Sequence, residues 1–343
     1  MSVGLVYDPI YLAHDTGQHV EVAGRLSAII ARLKDKRLKD KLESLEPRPA
    51  TENELALIHK RTYISGIKKM AAKGGGRLSA DTVISKDSYQ AAVMAAGGAI
   101  QAVKAVTGGE LTSAFCLVRP PGHHALPKRA MGFCVFNNVA VAARYAMTHL
   151  GLESIAIIDF DVHHGNGTQE VFYNEPGVLV ASIHQSPHFP GTGPVEETGS
   201  RLARGTNINI PLPPGAGDTE YFRVFKEIIM PAVRRFEPQL ILVSAGYDAH
   251  WADRMSSMQV STEGFARMAS FIRELADELC GGRTVYVLEG GYDPEALASS
   301  VVATLEIMLT GVSDAKREEG WRQIGVPEIG GLVQEIKELH ELG

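Results

Sequence analysis

The chain is poor in several features, and each scarcity removes a class of protein. Only three cysteines occur, Cys116, Cys134 and Cys280, and they are too far apart to form a CxxC pair. A disulfide framework and a cysteine-based zinc site are therefore excluded, and the count suits a reducing cytoplasm. No run of about 18 apolar residues exists, so no membrane span is expected. The opening MSVGLVYDPIYLAHD lacks a basic region, a long apolar core and a small-residue cleavage site, so no signal peptide is read. Positive charge is also short, with 34 Lys and Arg against 40 Asp and Glu and a formal net charge of −6. Nucleic-acid binding wants a basic surface and is not expected. Linkers, repeats and low-complexity tracts are missing too. Residues 1–343 are read as one soluble, cytoplasmic catalytic unit, with 311–343 as a terminal appendage holding a helix near 332–340.

What the sequence does contain is an alternation. Apolar, β-rich runs at 3–7, 114–118, 155–160, 178–183, 240–245 and 284–288 are long enough to be strands buried on both faces of a parallel sheet. Helical patterns fall between them at 22–33, 63–72, 88–106, 139–150, 219–236, 262–279 and 294–309, the last two opening on a capping residue or a proline. Such alternation predicts an α/β fold of three layers, α/β/α, around a mainly parallel central sheet. Loops rich in glycine and proline follow several strands, where open parallel sheets place their ligand sites.

Polar chemistry clusters in those loops. The densest group is Asp159-Phe-Asp161-Val-His163-His164-Gly-Asn166-Gly, directly after the apolar SIAII. Residues two apart in extended chain point the same way, so Asp159, Asp161 and His163 project together from a strand end. Burying three such groups is costly unless something pairs with them. A divalent cation would do so, and oxygen and nitrogen ligands suit zinc while also accepting Fe(II) or Co(II). A salt-bridge cluster or a helix cap is the plainer alternative. Asp248, in Ser244-Ala-Gly-Tyr-Asp248-Ala-His250, is a third candidate ligand, with His250 and Asp253 as alternatives for the same role. Three protein ligands and an open position make the catalytic kind of zinc site.

Two further strand ends carry candidates. Arg119-Pro-Pro-Gly122-His123-His124 follows AFCLV. Tandem histidines in such a turn cannot both face a core, and one could serve as a general base near neutral pH. From these residues alone, a second metal-ligand pair or a surface turn reads equally well. Glu289-Gly290-Gly291-Tyr292 closes the run VYVL. Its glycines let backbone approach a ligand closely, and a tyrosine hydroxyl can donate to a developing oxyanion. A part-buried tyrosine at a helix start is the alternative.

Taken together, RPPGHHA, MGFCVFNN, DFDVHHGNGTQ, SIHQSPHFPGTG, SAGYDAHWAD and LEGGYDPEAL stand in the order of the histone deacetylase superfamily, over about residues 15–309. The chain resembles its class II pattern, including bacterial histone deacetylase-like amidohydrolases and acetylpolyamine amidohydrolases. The resemblance implies an arginase/deacetylase-like fold and a deacetylase that removes acyl groups from acylated lysine or similar amines, using metal-activated water. It implies one zinc held by Asp161, His163 and Asp248, and a potassium ion held at Asp159, Asp161, His163, Ser182 and Ile183. His124 would be the general base and then the general acid, His123 its electrostatic neighbour held by Asp159, and Asn166 the partner that orients His124. Tyr292 would polarise the substrate carbonyl. Phe133 and Phe189 would wall an acyl-lysine tunnel, Asp81 would grip substrate backbone at the rim, and Gly132 and Met255 would face substrate. Arg25 would handle acetate in an inner cavity. Relatives also form dimers or tetramers.

The sequence departs from the family in two places. An early HPE-x-P-x-RL pattern reads His19-Val-Glu21-Val-Ala-Gly-Arg25-Leu, without its prolines, and Asp253-Arg254-Met255 stands where relatives carry Asp-Pro-Leu. A glutamate at position 255 would favour a cationic polyamine, and Lys68, Lys69, Lys73 and Arg77 ahead of Asp81 would repel one. Acyl-lysine is thus preferred. An acetylpolyamine deacetylase is the nearest rival, with Glu21, Asp81 and Glu196 as its candidate mouth carboxylates. An arginase-like ureohydrolase would need a second metal and more aspartates. A non-catalytic acyl-lysine binding protein would be expected to lack the tyrosine or a ligand.

Overall fold

Among the described residues ten strands form: β1 (Val3–Val6), β2 (Glu43–Leu45), β3 (Gly75–Arg77), β4 (Val83–Ser85), β5 (Ser113–Cys116), β6 (Ile155–Asp159), β7 (Val178–Gln185), β8 (Asn207–Leu212), β9 (Leu240–Ala245) and β10 (Thr284–Leu288). The structure is a computed structural model that describes residues 2–318 and 320–343. Met1, and Glu319 in the expected C-terminal appendage, lie outside the described residues. Eight strands form one sheet in the order β2-β1-β5-β10-β9-β6-β7-β8, and every neighbouring pair is parallel. β3 and β4 make a separate antiparallel hairpin.

Successive side chains of a strand face opposite sides of the sheet. Every residue of β5, β6, β7, β9 and β10 is buried, so both faces are covered. The result is the three-layer α/β/α architecture expected from the alternation, with a fully parallel sheet. Each buried Ile, Leu or Val in these strands contributes roughly 2 kcal/mol. That gives the sheet centre a margin against the polar groups at its carboxyl ends.

The expected helices form with shifts of a few residues at their ends. Asn137, Ser261 and Asp293 cap three of them, each accepting a backbone N–H of the first turn. The expected 219–236 helix is instead Asp218–Val224, a π-helical stretch Phe225–Ile229, and Met230–Phe236. Pro231 lacks the N–H that would bond residue 227, which favours this local rearrangement. Strand order reverses between β6 and β9: β6, β7 and β8 step toward one edge, while β9 and β10 fill in on the other side. A crevice at the carboxyl ends of strands flanking such a switch is where open α/β sheets hold ligands.

Candidate active site

Five strands deliver side chains to that crevice. Asp161 and His163 leave β6, and Asp248 leaves the adjacent β9. His123 and His124 lie beyond β5, Glu289 to Tyr292 follow β10, and His188 and Phe189 follow β7. Asp161, His163 and Asp248 are buried, and their ligand atoms all lie within 4.8 Å of one another. His163 Nδ1 is 3.0 Å from Asp161 Oδ1 and 3.1 Å from Asp248 Oδ2. The carboxylates are positioned from behind: Gly290 N donates to Asp161 Oδ2 at 2.8 Å, and Val162 N donates to Asp248 Oδ1 at 3.0 Å. Asp248 Oδ2 is left buried without a properly directed hydrogen bond. A Cβ on Gly246 or Gly290 would collide with these carboxylates, so glycine is needed on both sides of the cradle. Two carboxylates, one imidazole and an orphaned buried oxygen fit a divalent cation such as zinc.

The two alternative ligands point elsewhere. His250 Nε2 faces Thr262 Oγ1 at 3.2 Å and Glu318 Oε1 at 3.0 Å. Asp253 accepts backbone N–H groups from Met255, Tyr292 and Asp293. A second buried group, His123, Cys134 and Glu289, also has ligand atoms within 4.8 Å. Burial keeps the Cys134 thiol protonated, well above its ordinary value, and its Sγ donates to Gly132 O.

The tandem histidines occupy different environments. His123 Nδ1 meets Asp159 Oδ2 at 2.9 Å, and its backbone N–H donates to Glu289 Oε2 at 3.1 Å. His124 Nδ1 meets Asn166 Oδ1 at 2.7 Å. An amide oxygen only accepts, so Nδ1 carries the proton and Nε2 keeps the lone pair. Burial opposes charge on His123, but Asp159, Asp161 and Glu289 outweigh it and raise the ring well above the ordinary imidazole value. Burial drives His124 well below that value, and the charges of His123 and His163 push the same way. Neighbouring groups with opposed shifts are the usual mark of an acid and base pair.

A pocket of about 210 Å³ opens above the cluster, lined by Asp81, His124, Gly132, Phe133, His163, His188, Phe189, Met255 and Tyr292. Phe189 stands edge-on to His124 at 5.1 Å, and Phe133 edge-on to Tyr292 at 5.7 Å, so each phenylalanine lines the pocket against a candidate catalytic side chain. Phe133 has φ +67°, an uncommon conformation for a non-glycine residue, which costs of order 1 kcal/mol. The loop after β3 holds it there: Gly132 N donates to Asp81 Oδ2 at 3.0 Å, and Phe133 N to Thr82 Oγ1 at 3.1 Å. Burial would raise Asp81, but donors on Ser79, Gly132 and Thr82 pull it below the usual carboxylate range. Burial raises the Tyr292 phenol well above its ordinary value against the opposing charge of Arg25, so the hydroxyl keeps its proton.

Asp159 pairs with Ser182 in the β6–β7 register, so two of the five expected potassium ligands are neighbours. Lys68, Lys69, Lys73 and Arg77 do not line the pocket, and neither does Glu196. One expectation from the early loop needs correction. Glu21 is not a mouth carboxylate, because it is fully buried between Arg119 and Arg25. Arg25 lines no part of the pocket. It lies behind Tyr292, its guanidinium carbon 4.9 Å from the ring centre, and donates to the carbonyls of Glu289 and Gly291 at 2.6 Å each. His188 is the residue that the motif reading passed over, and Asp253 was read there only as an alternative ligand. A histidine beside Phe189 and a buried aspartate beyond Asp248 were the available signals.

The Glu21 cluster gives the protein a pH signature. Burial would raise Glu21, but Arg119 and Arg25 hold it down to about 2, below its unfolded value. Burial drives His14 down to about 4, with Glu21 partly resisting. Both folded values lie below the unfolded ones, so both contributions are present at neutral pH and vanish on acidification. His14 should cost stability as pH falls from about 6.5 to 4, and Glu21 from about 4.5 to 2, each by about 3 kcal/mol. Urea unfolding between pH 7.5 and pH 4 should therefore show a loss that His14→Gln reduces. An equal acid loss in that variant would exclude His14 as its source.

A profile of the histone deacetylase domain matches residues 19–308. Histone deacetylase 10, chloroplastic, of Oryza sativa subsp. japonica is 41% identical, covering 96% of this chain and 79% of the relative. A histone deacetylase-like amidohydrolase of Pseudomonas aeruginosa is 42% identical, covering 79% of this chain and 71% of the relative. The crystal structure of the HDA15 HD domain superposes with a TM-score of 0.89 at 31% identity, over 99% of this chain and 94% of that one.

Proposed function

Given that the chain belongs to the histone deacetylase family and is a deacetylase, we propose that it is zinc-dependent and removes acyl groups from acylated lysine side chains. Support comes from one convergence. The buried Asp161, His163 and Asp248 cluster meets His124 and Tyr292 around an aromatic-walled pocket. Asp161, His163 and Asp248 would hold the zinc, which when bound polarises the amide carbonyl and acidifies water.

The chain's own residues supply the rest. Phe133 and Phe189 hold an alkyl chain between their rings and exclude water around it. Asp81, at the rim, faces where a peptide backbone would cross. His124 Nε2 takes the proton from the attacking water, with Asn166 fixing the ring's tautomer through Nδ1. His123, held cationic by Asp159, adds positive charge beside the developing oxyanion, and His124 delivers the proton it took from water to the departing amine. Tyr292 donates its hydroxyl to the oxyanion. Ser182 and Ile183, with Asp159, Asp161 and His163, would hold potassium. Met255 at the wall, with no glutamate there, favours a neutral chain over a polyamine.

This assignment treats 1–343 as one catalytic unit, with 311–343 docked against it. Trp321 Nε1 donates to Gln259 O at 3.1 Å, and Gln323 Nε2 to Glu220 Oε2 at 2.5 Å. Three buried free cysteines suit a reducing compartment, and no helix among the described residues is long and apolar enough to cross a membrane.

Hydrolysis of an acetyl-lysine peptide, a trifluoroacetyl-lysine peptide and N-acetylputrescine tests the assignment. The peptides should turn over, chelation should abolish the activity, and about one equivalent of zinc should restore it. Turnover of N-acetylputrescine alone would make the protein a polyamine deacetylase. Activity indifferent to chelation would remove the zinc.

A further inference from the structure

Asp253 is buried two residues before the pocket wall at Met255, yet it does not reach the pocket itself. Its carboxylate collects three backbone N–H groups from two separate loops. Oδ1 accepts from Met255 N at 2.9 Å, and Oδ2 accepts from Tyr292 N at 2.5 Å and Asp293 N at 3.1 Å. The last two donors precede the helix Pro294–Thr310, whose cap Asp293 spends its own side chain on Glu295 N and Ala296 N. Without Asp253 those donors would have no partner inside the fold. The linkage continues on the other side, where His188 Nε2 donates to Met255 O at 2.8 Å. Three walls of the pocket, after β7, β9 and β10, are thereby tied through one carboxylate.

We propose that Asp253 is the positioning residue of Tyr292: it fixes the tyrosine backbone from the β9 loop, so the hydroxyl is aimed before substrate arrives. The proposal rests on the reading of Tyr292 as the oxyanion donor. A carboxylate suits the task because it accepts on both oxygens at once. An amide offers one acceptor and turns its NH2 toward an N–H, which leaves a buried donor unmet.

A double-mutant cycle on the acetyl-lysine peptide tests the proposal, with Tm and metal content measured for each variant. Tyr292→Phe should lower kcat about 100-fold. Asp253→Asn should lower kcat at least about tenfold with KM within about threefold, and by less than about threefold in the Tyr292→Phe background. An equal loss in both backgrounds would overturn the positioning role while leaving the tyrosine's intact. Wild-type kcat for Tyr292→Phe would instead sink the tyrosine's role, and Asp253's with it.

A second measurement holds even when part of the Asp253→Asn preparation is unfolded. The ratio of trifluoroacetyl-lysine to acetyl-lysine turnover does not depend on the active fraction. An activated carbonyl needs less oxyanion stabilisation, so Asp253→Asn should raise that ratio at least about tenfold, in the direction of Tyr292→Phe. An unchanged ratio refutes the proposal.

Discussion

His124→Ala is expected to lower kcat on an acetyl-lysine peptide by about 1,000-fold while leaving KM within a few-fold, the loss typical of a removed general base. The ring is placed for proton transfer and little else. Asn166 Oδ1 at 2.7 Å fixes the proton on Nδ1, so Nε2 is the basic nitrogen. Burial and the neighbouring charges of His123 and His163 keep it neutral. An amide partner adds no negative charge, whereas the Asp159 carboxylate beside His123 raises that ring. One histidine is thus held as a base and its sequence neighbour as a cation, by partners 7 residues apart in the chain.

The measurement is acetate release under saturating substrate, with metal content determined on the same samples. Zinc retained at the wild-type level, together with more than about a tenth of wild-type kcat, would show that His124 is not the base. Loss of the metal along with activity would point to a ligand role instead. The structure offers no geometry for that role, because His124 lies outside the group of Asp161, His163 and Asp248.

Much of this arrangement was legible in the sequence, and the limits have physical causes. Period-two spacing put Asp161 and His163 on one side of a strand end; β6 itself stops at Asp159, and the two side chains meet in one cluster just beyond it. Choosing between Asp248, His250 and Asp253 was beyond the residue pattern. The choice depends on which way a tight turn points each side chain, and His250 turns away to Thr262 and Glu318. Two edge strands escaped as well. β2 is largely exposed, and β8 hides two buried asparagines, whose amides both donate to Gln169 Oε1. β8 alternates as Asn-Ile-Asn-Ile-Pro-Leu, so a reading that seeks continuous apolar runs passes over it. Glu21 misled for a related reason. A glutamate in a polar loop reads as exposed, and only the fold reveals that Arg119, 98 residues away, meets it in the interior.

That same glutamate carries the largest expected effect on stability. Glu21→Ala should lower the unfolding free energy by about 3–5 kcal/mol, because it leaves buried charge uncompensated. Glu21 Oε1 accepts from Arg119 Nε at 2.5 Å and from Arg25 at 3.0 Å, and Oε2 accepts from Arg119 at 2.8 Å. Both guanidiniums are fully buried, so no water replaces the lost carboxylate. Arg119 would retain only the carbonyls of Tyr11, His14 and Glu21, and Arg25 those of Glu289 and Gly291. Glu21→Gln should cost less, since its amide oxygen still accepts one of these bonds. Urea unfolding at pH 7.5 measures both variants, and a change below about 1 kcal/mol for Glu21→Ala would contradict the idea that the cluster is electrostatically closed. The damage should also reach the pocket. Arg25 underlies the Tyr292 ring and holds the backbone on either side of Gly290, whose N–H supports Asp161. Residual activity of folded Glu21→Ala protein should accordingly fall more than its pocket contacts imply, since Glu21 has none.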